Sequence, residues 1–201
     1  MSSKLDLELK KLFESQTIAG NTFNLEQINF ESIEDAKLIL DLRSRKSNNY
    51  LKSGSTSLQD QIEYLRKYQS EFERREQIYF KIFDKSKNSF NGLVRITELN
   101  KKNKFGWESM VVSEDVTPAL PTDVMLSIFN IGFEKLEKQT CGPWVVTKEN
   151  ARVLLWHKKI GMSKICAEDE NCFYLSVNST DYFKHIDKYK TIGFGSAGFV
   201  N

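Results

Sequence analysis

The chain has 201 residues, 40% of them hydrophobic and 28% charged, which is enough to bury one full core and places it among ordinary globular proteins. Its 29 basic and 27 acidic residues leave a net charge of +2 with Lys and Glu interspersed, so nothing resembles a nucleic-acid footprint, and no apolar run approaches the length of a membrane span. Cys141, Cys166 and Cys172 form no C-x-x-C pair, which fits reduced structural thiols better than a disulfide framework or a metal site. The charged N-terminus lacks a signal-peptide core, so the expectation is a cytoplasmic protein without a metal, a membrane partner or a nucleic-acid partner.

In chain order, Leu5, Leu7, Leu9, Leu12 and Phe13 predict an N-terminal arm or helix over residues 1–20, ending at the break Ala19-Gly20-Asn21. Residues 22–30 read as a strand with room for a bulge. Ser32 can cap a helix whose Ile33, Ala36, Ile39 and Leu40 keep helical spacing up to Arg43. The polar stretch 44–57, SRKSNNYLKSGSTS, reads as a loop, either a solvated connection or an acceptor-binding segment. Leu58, Ile62, Leu65 and Phe72 then mark a second helix capped by Ser57.

From Gln77 the period changes to two. Residues 78–83, 93–99 and 105–112, joined by short polar turns, predict an antiparallel meander. The Pro-containing stretch 116–123 breaks it, and Met125, Ile128, Phe129, Phe133 and Leu136 trace a longer helix. Two short strands around residues 164–166 and 172–177 follow further on, joined by a turn at 168–171. Beyond them, residues 181–190 and a Gly-rich tail predict a small helix or a loose end.

The most informative stretch is 148–162, KENARVLLWHKKIGM. It follows a strand over residues 141–146. Thr147 offers an N-cap oxygen with Glu149 in the first turn, and Ala151, Leu154 and Leu155 share one helical face. Lys158 and Lys159 suit the last turn, and Gly161 provides a C-cap. His157 stands among apolar neighbours, where a histidine satisfied by surrounding groups is the plain structural reading.

The series Asn150, His157, Gly161, Met162 after an apolar strand resembles the acyl-CoA helix of the GNAT acetyltransferase superfamily, with His157 in place of the usual Tyr and Met162 in place of Phe. The order of elements over residues 22–177 is similar too. The resemblance implies a mixed α/β (α+β) fold: a mostly antiparallel sheet of six to seven strands with helices on both faces. The GNAT-like domain would span residues 21–178, with the N-terminal arm before it and an extension over 179–201 after it. It further implies acetyl-CoA as co-substrate, its pantetheine arm entering between two splayed strands. Met110, Val111 and Val112 would bind it by backbone groups, and Asn150 would face it from the other side. Where the family carries Arg/Gln-x-x-Gly-x-Gly/Ala for the pyrophosphate, this chain has Thr117, Leu120 and Thr122. Both glycines are gone, and Asp123 is expected to place negative charge beside a negative ligand.

Acetyl transfer to an amine needs a neutral amine, donors for the developing oxyanion and a proton for the departing thiolate. Glu108, mid-strand beside Trp107, is the candidate base, with an outward solvent-facing Glu as the plain alternative. His157 is the candidate acid. The resemblance is nearest in character to enzymes that acetylate amino-sugar nucleotides for surface polysaccharides. The acceptor-binding candidates are then Arg43, Arg45, Tyr50 and Trp107, since Arg suits phosphate and aromatic rings stack. The partner expected is a small-molecule amine. Two other readings stay open: a GNAT scaffold that has lost CoA and serves as a partner subunit, and an acetyltransferase of protein N-termini. The sheet edges and the N-terminal arm could support a homodimer.

Overall fold

The computed structural model describes residues 4–45 and 57–200. Helix α1 (Lys4–Glu14) and strand β1 (Thr17–Ala19) precede β2 (Phe23–Gln27), α2 (Ile33–Arg45) and α3 (Leu58–Glu73). The meander follows as β3 (Ile78–Asp84), β4 (Ser89–Thr97) and β5 (Lys104–Val112). Helix α4 (Ala119–Phe129) runs on as a π-helix over Asn130–Lys135, then come β6 (Thr140–Thr147) and α5 (Ala151–Ile160). The chain closes with β7 (Lys164–Glu168), β8 (Cys172–Asn178), α6 (Ser179–His185), α7 (Asp187–Lys190) and β9 (Gly198–Val200).

The nine strands of the described residues lie in one sheet, ordered β7-β8-β6-β5-β4-β3-β2-β1-β9. Every neighbouring pair is antiparallel except β5 with β6. Alternation along the strands supplies two faces. One face carries Phe80, Val94, Ile96, Phe105, Trp107, Trp144 and Val146 into the larger core, against Leu12 of α1 and Val124, Leu126 and Phe129 of α4. The other carries Tyr79, Leu93 and Val111 against Ala36, Ile39, Leu65 and Tyr68 of α2 and α3. Helix α3 starts as the sequence predicts: Ser57 Oγ accepts from the Asp60 N–H, and the Asp60 carboxylate accepts from the Ser57 N–H.

The sheet is wider than the six to seven strands expected, because the two termini contribute a strand each. Residues 17–19 pair with β2 on one side and with 198–200 on the other. Three residues are too few for a readable period, so β1 and β9 leave no trace in the sequence pattern. The N-terminal arm joins the main core through Leu12 and Ile18, both fully buried. The Gly-rich tail, expected as a loose end, is fastened: Ser127 Oγ donates to the Ser196 carbonyl, and the Gly195 N–H donates to Asp123 Oδ1 at 3.0 Å. Among the described residues no helix is long and apolar enough to cross a membrane, and no group of His, Cys, Asp and Glu is placed to hold a metal ion.

Candidate functional site

Strands β5 and β6 are neighbours only at their starts, where Lys104 pairs with Thr140 and Phe105 with Cys141. Beyond that point β5 runs on to Val112 and β6 to Thr147 with no further pairing between them. The indoles of Trp107 and Trp144, with ring centroids 5.2 Å apart, stand just past the last pair. His157 packs 5.3 Å from Trp144 and 6.1 Å from Trp107, and Trp156 lies 4.7 Å from His157. Trp107, Trp144, Trp156 and His157 thus form an aromatic cluster on the larger-core face of the sheet, beside the point where the two strands part. Trp107 is 6% exposed, and its indole N–H has no partner among the described residues. A buried donor left free beside an open split is a ready site for an acceptor atom of a ligand.

On its other edge β5 pairs with β4 through a bulge. Leu93 is opposite Val111 and Arg95 is opposite Glu108, so β5 holds one more residue than β4 over that span. The surplus is taken up at Ser109, whose φ is +54°. Gly92 permits the close approach here, since a Cβ on it would meet the Val111 carbonyl oxygen at 2.6 Å. Before the bulge Glu108 points to the α2/α3 side. After it Val111 does so, while Met110 and Val112 pack toward the larger core.

The Glu108 side chain is 53% exposed and accepts from Arg95 Nη2 at 3.3 Å. The same nitrogen donates to Ser109 Oγ at 2.8 Å, and Arg95 Nη1 donates to the Tyr64 hydroxyl at 2.5 Å. The guanidinium lies 6.0 Å from the Tyr64 ring centroid and 5.7 Å from that of Tyr79. Arg43 bonds the Tyr79 hydroxyl. Burial raises the Tyr64 phenol above its ordinary value, with Arg95 opposing the rise, so Tyr64 remains a neutral phenol. A cleft of about 460 Å³ opens here, lined by Tyr64, Lys67, Glu71, Arg95, Thr97 and Glu108. The structure thus brings Arg43 to the same tyrosine and arginine cluster as Glu108. Arg45 is the last residue of α2, and Tyr50 lies outside the described residues.

Helix α5 departs from the expected pattern in two respects. Its N-cap is Asn150, whose Oδ1 accepts from the Val153 N–H at 3.3 Å, rather than Thr147. The buried side of the helix is formed by His157 and Ile160 with Val153 and Trp156 partly covered, whereas Leu155 is 57% exposed. The helix turns its aromatic side to Trp144. Gly161 closes the helix at φ +78°, in the left-handed region where a side chain is disfavoured.

His157 is 2% exposed. Its Nε2 lies 3.3 Å from Trp144 Nε1, which can only donate, so Nε2 is an acceptor. The proton therefore sits on Nδ1, 3.1 Å from Ser163 Oγ. Burial lowers the imidazole pKa from 6.5 to about 4. Both ring nitrogens are spent within the protein, and the ring is neutral at physiological pH. The expectation that His157 hands a proton to a thiolate does not match this geometry, because the spare proton is directed at Ser163.

The entry to α4 also differs from expectation. Asp123 is fully buried, its Oδ2 accepting from the N–H and hydroxyl of Thr22 at 2.9 Å each and its Oδ1 from the Gly195 N–H. Its carboxylate oxygens are taken up by three donors inside the fold and do not face a ligand. Leu120 is fully buried, and its N–H donates to the Thr117 carbonyl at 3.1 Å. Thr122 Oγ1 accepts from the Trp156 indole at 3.0 Å and donates to the Pro118 carbonyl at 3.3 Å. Pro118 and Pro121 carry no N–H. Of the three phosphate-loop positions, only Thr117 is exposed and open to a ligand.

The residues that sequence reasoning missed are Arg95, Tyr64, Tyr79 and Ser163. The signal for Arg95 was a lone charge between Val94 and Ile96 in a buried strand. Its partner could be found only from the register that sets it opposite Glu108.

No family model matches the chain, and no curated protein does. Solved structures do. FdhC, a nucleotide-linked sugar GNAT solved in its apo form, is 25% identical, with a TM-score of 0.74 over 88% of this chain and 98% of that one. A GCN5-related N-acetyltransferase from Brucella melitensis superposes at a TM-score of 0.70 over 89% of this chain and 85% of that one, at 12% identity. The N-acetyltransferase PseH of Campylobacter jejuni, solved in complex with acetyl coenzyme A, gives 0.58 at 16% identity, covering 78% and 98% of the two chains.

Proposed function

We propose that this chain, which belongs by its fold to the GNAT superfamily, is an N-acetyltransferase that moves an acetyl group from acetyl-CoA to the primary amine of a nucleotide-linked amino sugar in the cytoplasm. The observation that carries the reading is the split between β5 and β6, open beyond Phe105 and Cys141, with an exposed Glu108 beside a bulge on one of its walls. An extended pantetheine arm matches such a slot: backbone groups of Met110, Val111 and Val112 on β5 would pair with its amides as a further strand would. The free amide nitrogen of Asn150 would meet it from α5, since its oxygen is committed to the cap.

The chemistry then divides among the chain's own residues. Glu108 takes a proton from the acceptor ammonium, directly or through water, leaving the amine lone pair free to attack the thioester carbonyl. N–H donors at the split stabilise the oxyanion of the tetrahedral intermediate, the unpartnered Trp107 indole being one available donor. As the intermediate collapses, the C–S bond breaks and the proton still carried by its ammonium nitrogen passes to the departing sulfur, directly or through water, leaving amide and thiol with no proton required from His157. Arg43, beside Tyr79, faces the acceptor side and suits a diphosphate. FdhC, a nucleotide-linked sugar GNAT by its description, supports the choice of acceptor class.

A second reading has its own observation. The Leu120 N–H and the Thr122 hydroxyl, at the positions where relatives hold pyrophosphate, are taken by internal partners. That favours weak CoA binding, or a scaffold without catalysis. Calorimetric titration of acetyl-CoA into the protein, repeated with Asn150→Asp and Asn150→Ala, separates the two. Asp keeps the cap but loses the amide donor, so saturable one-site binding weakened by both variants supports the first reading. Absence of binding at millimolar acetyl-CoA supports the scaffold.

A further inference from the structure

We propose, on the acetyl-transfer reading above, that Arg95 is a positioning residue. It holds the bulge of β5 and the Glu108 carboxylate in one arrangement, and so ties the acceptor side of the site to the strand that lines the split. The starting observation is Ser109, which occupies a left-handed conformation at φ +54° without being glycine. Such a backbone is disfavoured for an L-residue and persists only where the surroundings over-determine it.

Arg95 stands directly across the ladder from Glu108 and supplies that determination. Its Nη2 reaches both Ser109 Oγ and Glu108 Oε2, while Nη1 is held by the Tyr64 hydroxyl on α3. The rings of Tyr64 and Tyr79 flank the guanidinium, and Tyr79 is itself fixed by its N–H donating to the Tyr68 hydroxyl at 2.8 Å. One planar cation therefore links α3, the carboxylate before the bulge and the bulged residue itself. Lysine cannot do this, since a single ammonium has no fork to span partners in one plane.

The geometry beyond Ser109 depends on the same arrangement. Side chains alternate along a strand, so losing the surplus residue would exchange the faces of Met110, Val111 and Val112 and pull Val111 out of the α2/α3 core. The backbone groups at 110–112 that face the split would turn with them. Arg95 itself is poorly placed to bind acceptor, because its side chain is 18% exposed and both terminal nitrogens are engaged.

The test compares wild type, Arg95→Lys, Arg95→Gln and Arg95→Gln combined with Ser109→Gly. Turnover is measured with acetyl-CoA and a panel of uridine- and thymidine-diphosphate-linked amino sugars. Displacement of the carboxylate and strand predicts that Arg95→Gln lowers kcat roughly tenfold or more, with a much smaller change in acceptor KM. Arg95→Lys should recover little. Adding Ser109→Gly should recover part of the lost kcat, because glycine adopts the left-handed conformation unaided. A kcat for Arg95→Gln within twofold of wild type, or a loss confined to acceptor KM, overturns the assignment while leaving acetyl transfer standing. A loss of kcat that Ser109→Gly leaves untouched overturns the route through the bulge. Wild type that neither binds acetyl-CoA nor turns over any acceptor overturns the acetyl-transfer reading, and the assignment with it.

Discussion

A buried histidine held neutral makes this protein's stability depend on pH in a way that can be worked out in advance. His157 is 2% exposed, and burial lowers its pKa from 6.5 to about 4. As pH falls below the unfolded value, the unfolded chain takes up a proton before the folded one does, so stability drops between those two values and is fully present above them. From these two pKa values, the loss between pH 7 and pH 5 comes to about 2 kcal/mol, and the full loss by pH 4 and below approaches about 3 kcal/mol. Urea unfolding followed by circular dichroism at both pH values, for wild type and His157→Gln, isolates the contribution. Other titrating groups are common to both proteins and cancel in the comparison. The variant starts less stable, since it disturbs the contacts to Trp144 and Ser163, but it should lose about 2 kcal/mol less than wild type on going from pH 7 to pH 5. Equal losses in the two proteins would refute the argument, and would mean that the imidazole is protonated or reaches solvent in the fold.

Three further outcomes are expected. Glu108→Gln should lower kcat by roughly a hundredfold or more while leaving calorimetric binding of acetyl-CoA unchanged, since it removes the base without altering the split; an unchanged kcat would remove Glu108 from the reaction. Asp123→Ala strips the partner from three donors at Thr22 and Gly195. It should cost about 3 kcal/mol in urea unfolding and expose the C-terminal tail to limited proteolysis, whereas a tail as resistant as in wild type would contradict its anchoring role. Tyr68→Phe leaves the buried Tyr79 N–H without its acceptor and should cost about 1–3 kcal/mol by the same measurement; a change within experimental error would show that the N–H finds another partner.

Most elements are legible in the sequence because their signals are local. Period two over residues 78–83 and 105–112, the Ser57 cap with Asp60 in place, and Gly161 after Ile160 each depend on residues within a few positions of one another. Asn150 stands at the N-cap of α5 and Glu108 lines the cleft, both within elements the sequence predicts. The misreadings share a cause. Assigning the N-cap to Thr147, a ligand-facing charge to Asp123 and one apolar face to Ala151, Leu154 and Leu155 were all judgements about direction, and direction is set by what packs against an element.

The sequence by itself determined the order of helices and meander, the N-cap of α3 and the C-cap of α5, and the residue types available for proton transfer, since propensity, period and caps act over a turn or a strand pair. Only the tertiary structure decided what those residues face. Rings from β5, β6 and α5 meet beside the split. Asp123 finds its hydrogen-bond donors 101 and 72 positions away along the chain. Arg95 finds Glu108 and Ser109 only through a ladder register that a single surplus residue shifts. Contacts of that kind join segments distant in sequence, and their geometry follows from the packing of the whole sheet.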